Sequence, residues 1–240
     1  MKNNAIKIKN DLKQLTNIFI NNNKKLYIVG GYIRDFFINN KLKNSDIDIC
    51  SNVKSEDVEK YLIGSSYEII YKNHDYGVLK ILSKDGNVFE YTTFRIEKYN
   101  YNGGHYPVNI KFTDDINKDI LRRDFTCNSI YYDIEENKFI DIYGGLNDIQ
   151  NRIIKTLRDP CIVFSEDSER ILRMIRLVKQ FGFSVEKEVL NAALTNIEGI
   201  KNLSYSRFKN ELNKINILPI GKNKILEEDI SVLKKIIKTM

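Results

Sequence analysis

The stretch that most constrains this chain runs from Leu26 to Cys50, LYIVGGYIRDFFINNKLKNSDIDIC. Its short apolar run Leu26 to Val29 predicts a buried strand, Gly30 and Gly31 a turn, and Ile33, Phe36 and Phe37 the inner face of a helix. Asp46 and Asp48 then fall in an alternating segment, which sends both carboxylates to one face of a strand and Ile47 and Ile49 to the other. Two carboxylates side by side repel, and a divalent cation relieves that. A solvated strand edge is the competing reading. Glycines at a strand-to-helix turn let a ligand approach main-chain N–H groups, and the helix start suits phosphate, with Arg34 one turn in as a charge-assisted contact. Taken alone, a Gly-Gly turn is also simply a turn.

A chain of 240 residues can bury one large core or two small ones. Its net charge of +6 favours an acidic partner such as nucleic acid without singling one out. Cys50, Cys127 and Cys161 are isolated, which excludes a cysteine zinc cluster and fits reduced thiols in the cytoplasm. No run approaches the roughly 18 apolar residues of a membrane span, and the first residues lack the apolar core of a signal peptide. These features predict a cytoplasmic protein with no membrane partner.

Residues 6–21 predict an amphipathic opening helix, packed as a lid on a sheet. Ser55 to Leu62 reads as a helix with Ser55 as cap. Strands follow at Tyr67 to Tyr71, Val78 to Ser83 and Asn87 to Phe94, the last two joined by a hairpin turn at Lys84-Asp85-Gly86. Glu90 is a candidate third carboxylate, or one half of a cross-strand ion pair. Tyr99 to Pro107, YNYNGGHYP, predicts a flexible loop in which His105 is either a surface residue or a catalytic one. Arg122, Arg123 and Asp124 form a charged entrance to a buried segment, paired with one another or with a triphosphate and ribose. Lys138 to Tyr143 is the last strand. The pattern then turns helical, at Leu146 to Leu157, Phe164 to Phe181, Glu186 to Asn196, Ser204 to Ile215 and Ile225 to Met240, so a domain boundary is expected near residue 144.

GGYIRD with SDIDI, EYTTFR, RRDFTCNSIYYD, DIYGGLNDIQNRIIKTL, FSEDSERILRMIRLVKQFGF and SYSRFKNELNKI together resemble, in order, the blocks of the class II tRNA nucleotidyltransferase (CCA-adding enzyme) and bacterial poly(A) polymerase family. The match runs collinearly from about residue 24 to residue 215. The resemblance implies an α+β fold: a nucleotidyltransferase head with a mixed β-sheet flanked by helices over 1–145, an all-helical neck over 146–203 and a short helical body over 204–240. It implies Mg²⁺ at Asp46 and Asp48, with Glu90 as a further catalytic carboxylate, and addition of CCA or part of it to a tRNA 3′ end from CTP and ATP. It places Gly30, Gly31, Arg34, Arg123, Asp124 and Asn128 at the nucleotide from the head, and Asp167, Arg170, Arg173 and Arg176 from the neck. The alternatives are a poly(A) polymerase, an enzyme limited to CC or A, and a non-catalytic tRNA-binding subunit.

Within that resemblance the neck has its own physical logic. Asp167 and Arg170, three apart, lie side by side on a helix, an acceptor beside a donor. Cytosine and adenine each offer an amino donor beside a ring-nitrogen acceptor and match this pair; uracil and guanine reverse the pattern. Arg173 and Arg176 continue the spacing, against an apolar stripe of Ile171, Leu172, Ile175 and Val178, and reach phosphate or ribose or else a solvated face. Arg207 and Glu211, four apart, are expected to pair along one helix. Two departures from the family pattern stand out: the loop before His105 lacks an arginine, and Glu169 adds an acid beside the base-reading pair. Family members extend well beyond this length, so tRNA anchoring is expected from the basic helices between Lys201 and Lys238, or from a partner or oligomer.

Overall fold

The computed structural model describes residues 6, 8–39 and 46–217; the expected turn at Lys43 to Ser45 and the helix at Ile225 to Met240 lie outside them. The chain divides into two compact units, one of residues 1–96, 110–123 and 127–146, the other of residues 97–109, 124–126 and 147–240. Two segments that a linear reading counts with the head, Glu97–Asn109 and Asp124–Thr126, thus belong to the second unit.

The first unit opens with α1 (Asn10–Asn21), whose buried residues are Asp11, Leu12, Leu15, Thr16 and Phe19. The Asp11 carboxylate accepts from Ser83 and Asn87 at 2.7 and 2.6 Å, which fastens the helix to the hairpin beneath it. Then come β1 (Tyr27–Val29), α2 (Gly31–Asn39), β2 (Ile47–Ser51) and α3 (Ser55–Tyr61). Ser55 is not the cap of α3. Lys54 holds that position without a side-chain bond, and the Ser55 hydroxyl shares a hydrogen bond with His74 at 2.9 Å.

Next follow β3 (Tyr67–Asn73), β4 (Val78–Ser83), β5 (Val88–Thr93), β6 (Arg95–Lys98), β7 (Asn109–Phe112), α4 (Ile116–Ile120), a 3-10 turn at Thr126–Asn128, β8 (Tyr131–Asp133) and β9 (Lys138–Ile140). Seven strands form one sheet in the order β3-β4-β5-β2-β1-β8-β9. The sheet is mixed: β2 and β5 run parallel, whereas β1 pairs antiparallel with both β2 and β8. Ile28, Ile47, Ile49, Phe89 and Tyr91 are almost wholly buried, so the alternation of the central strands drives the core. The ribbon of β6 and β7 was not legible as strands, since its strands are only four residues long and none of their residues is fully buried.

The second unit holds β10 (Ile153–Ile154), α6 (Pro160–Glu166), α7 (Glu169–Phe181), β11 (Ser184–Val185), α8 (Lys187–Thr195) and α9 (Tyr205–Ile217), with α5 (Gly145–Asn151) leading into it. The helix expected over Leu146 to Leu157 stops at Arg152, whose positive φ of 53° turns the chain into β10. The single helix expected over Phe164 to Phe181 is two, broken at Asp167 and Ser168. There Gly103 enters the helical ladder, its N–H donating to Ser165 O at 2.7 Å and its carbonyl accepting from Ser168 N–H at 3.1 Å. No described helix is long and apolar enough to cross a membrane.

Candidate functional site

In the first unit the sheet register sets out the acidic residues. Asp48 on β2 stands opposite Glu90 on β5, and Glu90 stands opposite Lys80 on β4. Residues opposite one another share a face, and Asp46, two before Asp48, joins them at the exposed start of the strand. Gly30, with φ of +80°, turns its missing side chain toward this face: a Cβ there would lie 2.8 Å from Asp48 Oδ2. The turn is therefore glycine both for its left-handed backbone and for the carboxylate behind it.

Glu90 is already engaged. Its carboxylate accepts from the Lys80 ammonium at 2.5 Å, and that hydrogen bond, with Glu90's charge and then Asp46's, raises the Lys80 pKa. The cross-strand ion pair that sequence left open is thus present, on the same face as Asp46 and Asp48. Lys80 itself escaped the sequence reading, although the hairpin turn at Lys84 to Gly86 implies it. Closing that turn sets Ser83 opposite Asn87, which brings Lys80 opposite Glu90. Two hard carboxylates beside a glycine turn fit Mg²⁺, which binds one or two carboxylates and fills its octahedron with water and substrate phosphates.

Arg34 and Asn128 meet in this unit, Nη1 donating to Asn128 Oδ1 at 2.5 Å, while Nε and Nη2 donate to Asp35. Its Nη2 lies 3.1 Å from where a Gly31 Cβ would stand, so both glycines of the turn back onto functional candidates. Arg123 donates to the Tyr131 hydroxyl at 2.7 Å and to Asp119 at 3.2 Å, its guanidinium 4.9 Å above the Tyr131 ring. Asp119, fully buried, also accepts from Arg122 at 2.8 Å, from Arg95 N–H at 3.0 Å and from Tyr131. Burial pushes its carboxyl up, but the Arg122 and Arg123 guanidiniums outweigh that and hold it well below the usual range. Sequence reading missed Asp119. Its signal was the i, i+3 and i, i+4 spacing to the two arginines.

In the second unit Asp167 and Arg170 do lie side by side, Nε 3.8 Å from Oδ2, both buried. The cause differs from the one expected. Asp167 is extended, not helical, and its Oδ1 accepts from Glu169 N–H at 3.0 Å at the start of α7. Arg170 is held by Val163 O and Glu166 at 3.0 and 3.1 Å, and Glu166 is also gripped by Arg158. Arg173 makes an ion pair with Asp124 at 2.9 Å, without hydrogen-bond alignment, and Arg176 one with Glu211 at 2.9 Å. The stripe Ile171, Leu172, Ile175 and Val178 is buried. Arg207 and Glu211 do not pair with each other. Arg207 bonds Glu169 at 2.8 Å, and Glu211 takes Arg176 and Lys214 instead, because the packing of α7 against α9 brings each guanidinium to an acid on the facing helix.

His105 is no surface histidine. Its Nδ1 lies 2.9 Å from Asp167 Oδ2 and 3.0 Å from Glu169 Oε2. Burial lowers its pKa, but hydrogen bonds and the two negative charges raise it further, to about 9. Glu169 is pulled down to about 2: burial opposes this, and His105 and Arg207 outweigh it. Among the described residues this is the one group of three metal-ligand types whose atoms converge, within 4.8 Å. An imidazolium, with Arg207 and Arg170 beside the two acids, already supplies the positive charge there.

The CCA-adding enzyme of Geobacillus sp. (strain WCH70) is 36% identical over 194 residues, 79% of this chain and 45% of its own length. That of Staphylococcus saprophyticus is 34% identical over 189 residues, again 79% of this chain and 45% of the relative. The chain thus spans about half the length of the curated relatives it matches. The crystal structure of the Bacillus stearothermophilus CCA-adding enzyme in complex with CTP superposes with a TM-score of 0.78 at 26% identity, covering 95% of this chain and 53% of that one. The Thermotoga maritima CCA-adding enzyme complexed with tRNA shares the fold at 23% identity, with a TM-score of 0.77 over 98% of this chain and 53% of that one. The poly A polymerase head domain matches residues 26–155, more than half of the sequence and the whole of the strand, glycine turn and carboxylate arrangement, so the chain belongs to that family.

Proposed function

We propose that this chain carries the catalytic and nucleotide-selecting parts of a tRNA nucleotidyltransferase that adds CCA, or part of it, to tRNA 3′ ends from CTP and ATP, with Mg²⁺. The observation that carries the reading is the buried pair of Asp167 and Arg170, an acceptor and a donor side by side with their neighbours fixed. Such a pair accepts the amino group and donates to the ring nitrogen of cytosine or adenine, and leaves both groups mismatched against uracil or guanine. A choice of base without a nucleic-acid template follows.

Asp46 and Asp48 would hold the divalent ion, with Glu90 as a third carboxylate once Lys80 releases it. Bound there, the ion would assist attack of an RNA 3′-hydroxyl on the α-phosphate and steady the departing pyrophosphate. Gly30 and Gly31 would let the triphosphate approach the main chain, and Arg34, with Asn128 beside it, and Arg123, braced by Asp119, would add charge. Asp124, Arg173 and Arg176 would shape the nucleotide's surroundings. The CCA-adding relatives, and the solved complexes with CTP and with tRNA, support this assignment.

The test is incorporation of each labelled nucleoside triphosphate, with Mg²⁺, into a tRNA lacking CCA, a tRNA ending in CC, and an unrelated RNA. Addition of C then A to tRNA alone is expected. Long A tails on any RNA would instead establish a poly(A) polymerase, and no incorporation a binding subunit.

A further inference from the structure

His105 brings to the base-reading pair a group that the reaction described above does not use. Of the two Asp167 oxygens, Oδ1 is taken by the Glu169 N–H at 3.0 Å and Oδ2 by His105 Nδ1 at 2.9 Å. Oδ2 is also the oxygen nearest Arg170, the side on which a base edge spanning both residues must lie. The carboxylate is 8% exposed, and the imidazole stands on the oxygen that faces Arg170.

The contact is built into the loop that carries His105. Gly103 is bonded through both its N–H and its carbonyl to the α6–α7 junction, and a Cβ on it would run into Ser168 and Gly199. Asn202 Nδ2 donates to Asn102 O at 2.5 Å, and Arg207, bonded to Glu169, lies 5.0 Å over the Tyr106 ring. The loop is thus anchored on both sides of the histidine, while His105 itself remains 26% exposed and has an open side to leave by.

We propose that His105 is a resident competitor for the base-reading acceptor: with the loop docked, its imidazolium takes the place that the amino group of cytosine or adenine needs, and nucleotide binding requires it to leave. The proposal rests on the reading of Asp167 as the base acceptor.

The charged groups facing His105 are Asp167 and Glu169 at the junction, Arg170 on α7 and Arg207 on α9, with Tyr106 in its own loop. The near acids win, and the imidazole is cationic at pH 7 with a pKa of about 9. Once displaced it returns toward its ordinary value of 6.5. Between those values, nucleotide binding therefore expels a proton. A protein whose competent state is a fraction of the whole binds weaker by that fraction, so removing the competitor tightens binding.

Titration calorimetry of Mg²⁺ with CTP at pH 8, in two buffers of different ionisation heat, counts the protons. Wild type should release about one proton per CTP and His105→Ala close to none. The variant should bind CTP on the order of 50- to 100-fold tighter at pH 7, the gap closing above pH 9 as wild type sheds its proton. No proton release, or weaker binding by His105→Ala, overturns the proposal. Failure of the base-reading assignment looks different, with wild type binding UTP and GTP as well as CTP and ATP. Independently of nucleotide, an NMR titration of the free protein, with the only other histidine removed as His74→Gln, must show His105 titrating near pH 9 and falling in Asp167→Asn. An imidazole titrating near 6.5 removes the competitor whatever the variant does.

Discussion

Asp48 backs onto Gly30 so closely that a Cβ on the glycine would stand 2.8 Å from its Oδ2. The two residues are 18 apart in sequence and on neighbouring strands, β2 and the end of β1, so the sheet itself sets the distance between glycine turn and carboxylate. Gly30→Ala should therefore cost about 1–2 kcal/mol of stability from the positive φ, and more in activity than in stability, since Asp48 must shift. Asp46→Ala should abolish incorporation, by on the order of 10³-fold or more, with no change in melting, because Asp46 is exposed. Thermal melting and incorporation measured on both variants check this; retained activity in Asp46→Ala removes the site assignment.

Glu90 and Lys80 distinguish a metal ligand from a mere cross-strand pair. The pair is half-exposed, with Lys80 at 40%, and such pairs contribute about 0–1 kcal/mol. If Glu90 joins Asp46 and Asp48 at the ion, Glu90→Ala raises the Mg²⁺ concentration needed for half-maximal incorporation and Lys80→Ala lowers it. Equal, small effects of the two substitutions would leave only the pair.

Asp119 anchors both arginines of the RRD block and the amide of Arg95. Its carboxyl is held well below its unfolded value of 3.8, so its stabilisation is present above that pH and is lost as pH falls through and below it. Replacing it with Asn leaves two partly buried guanidiniums short of charge and should cost about 3 kcal/mol. Denaturant melts at pH 7 and pH 3 check this: the deficit should be large at pH 7 and shrink in acid.

His105 and Glu169 give the second unit a pH optimum. Glu169 has its pKa lowered from 4.5, so its share of stability is full above 4.5 and lost as pH falls toward 2. His105 has its pKa raised from 6.5, so its share is full below 6.5 and lost as pH rises through about 9. The melting temperature should peak between about pH 5 and 6.5 and decline toward pH 9, and His105→Ala should flatten the alkaline decline. An unchanged alkaline limb contradicts the ion pair.

Much of the first unit was legible because its signals are local. Alternation in β2, β4 and β5 located the strands, and the turn at Lys84 to Gly86 fixed the register that sets Lys80 against Glu90. The carboxylates at 46 and 48 followed from period two alone. What stayed hidden depends on contacts far apart in sequence. The break at Asp167 comes from Gly103, the partner of Arg207 is Glu169 on a facing helix, and His105 meets its acids 62 residues on. Spacing along one helix cannot choose between Glu211 and Glu169 for Arg207, since only packing brings α7 and α9 together.

Base choice by Asp167 and Arg170 is measured most directly by the ratio of C and A to U and G incorporated into tRNA lacking CCA, for wild type and Arg170→Ala. Asp167 keeps its Glu169 N–H and His105 contacts in the variant, and Glu166 keeps Arg158, so the site persists while one donor is lost. Strong preference for C and A is expected in wild type, reduced by about 1–3 kcal/mol, or roughly 5- to 150-fold, in Arg170→Ala. Unchanged selectivity in the variant would contradict base choice by the protein side chains.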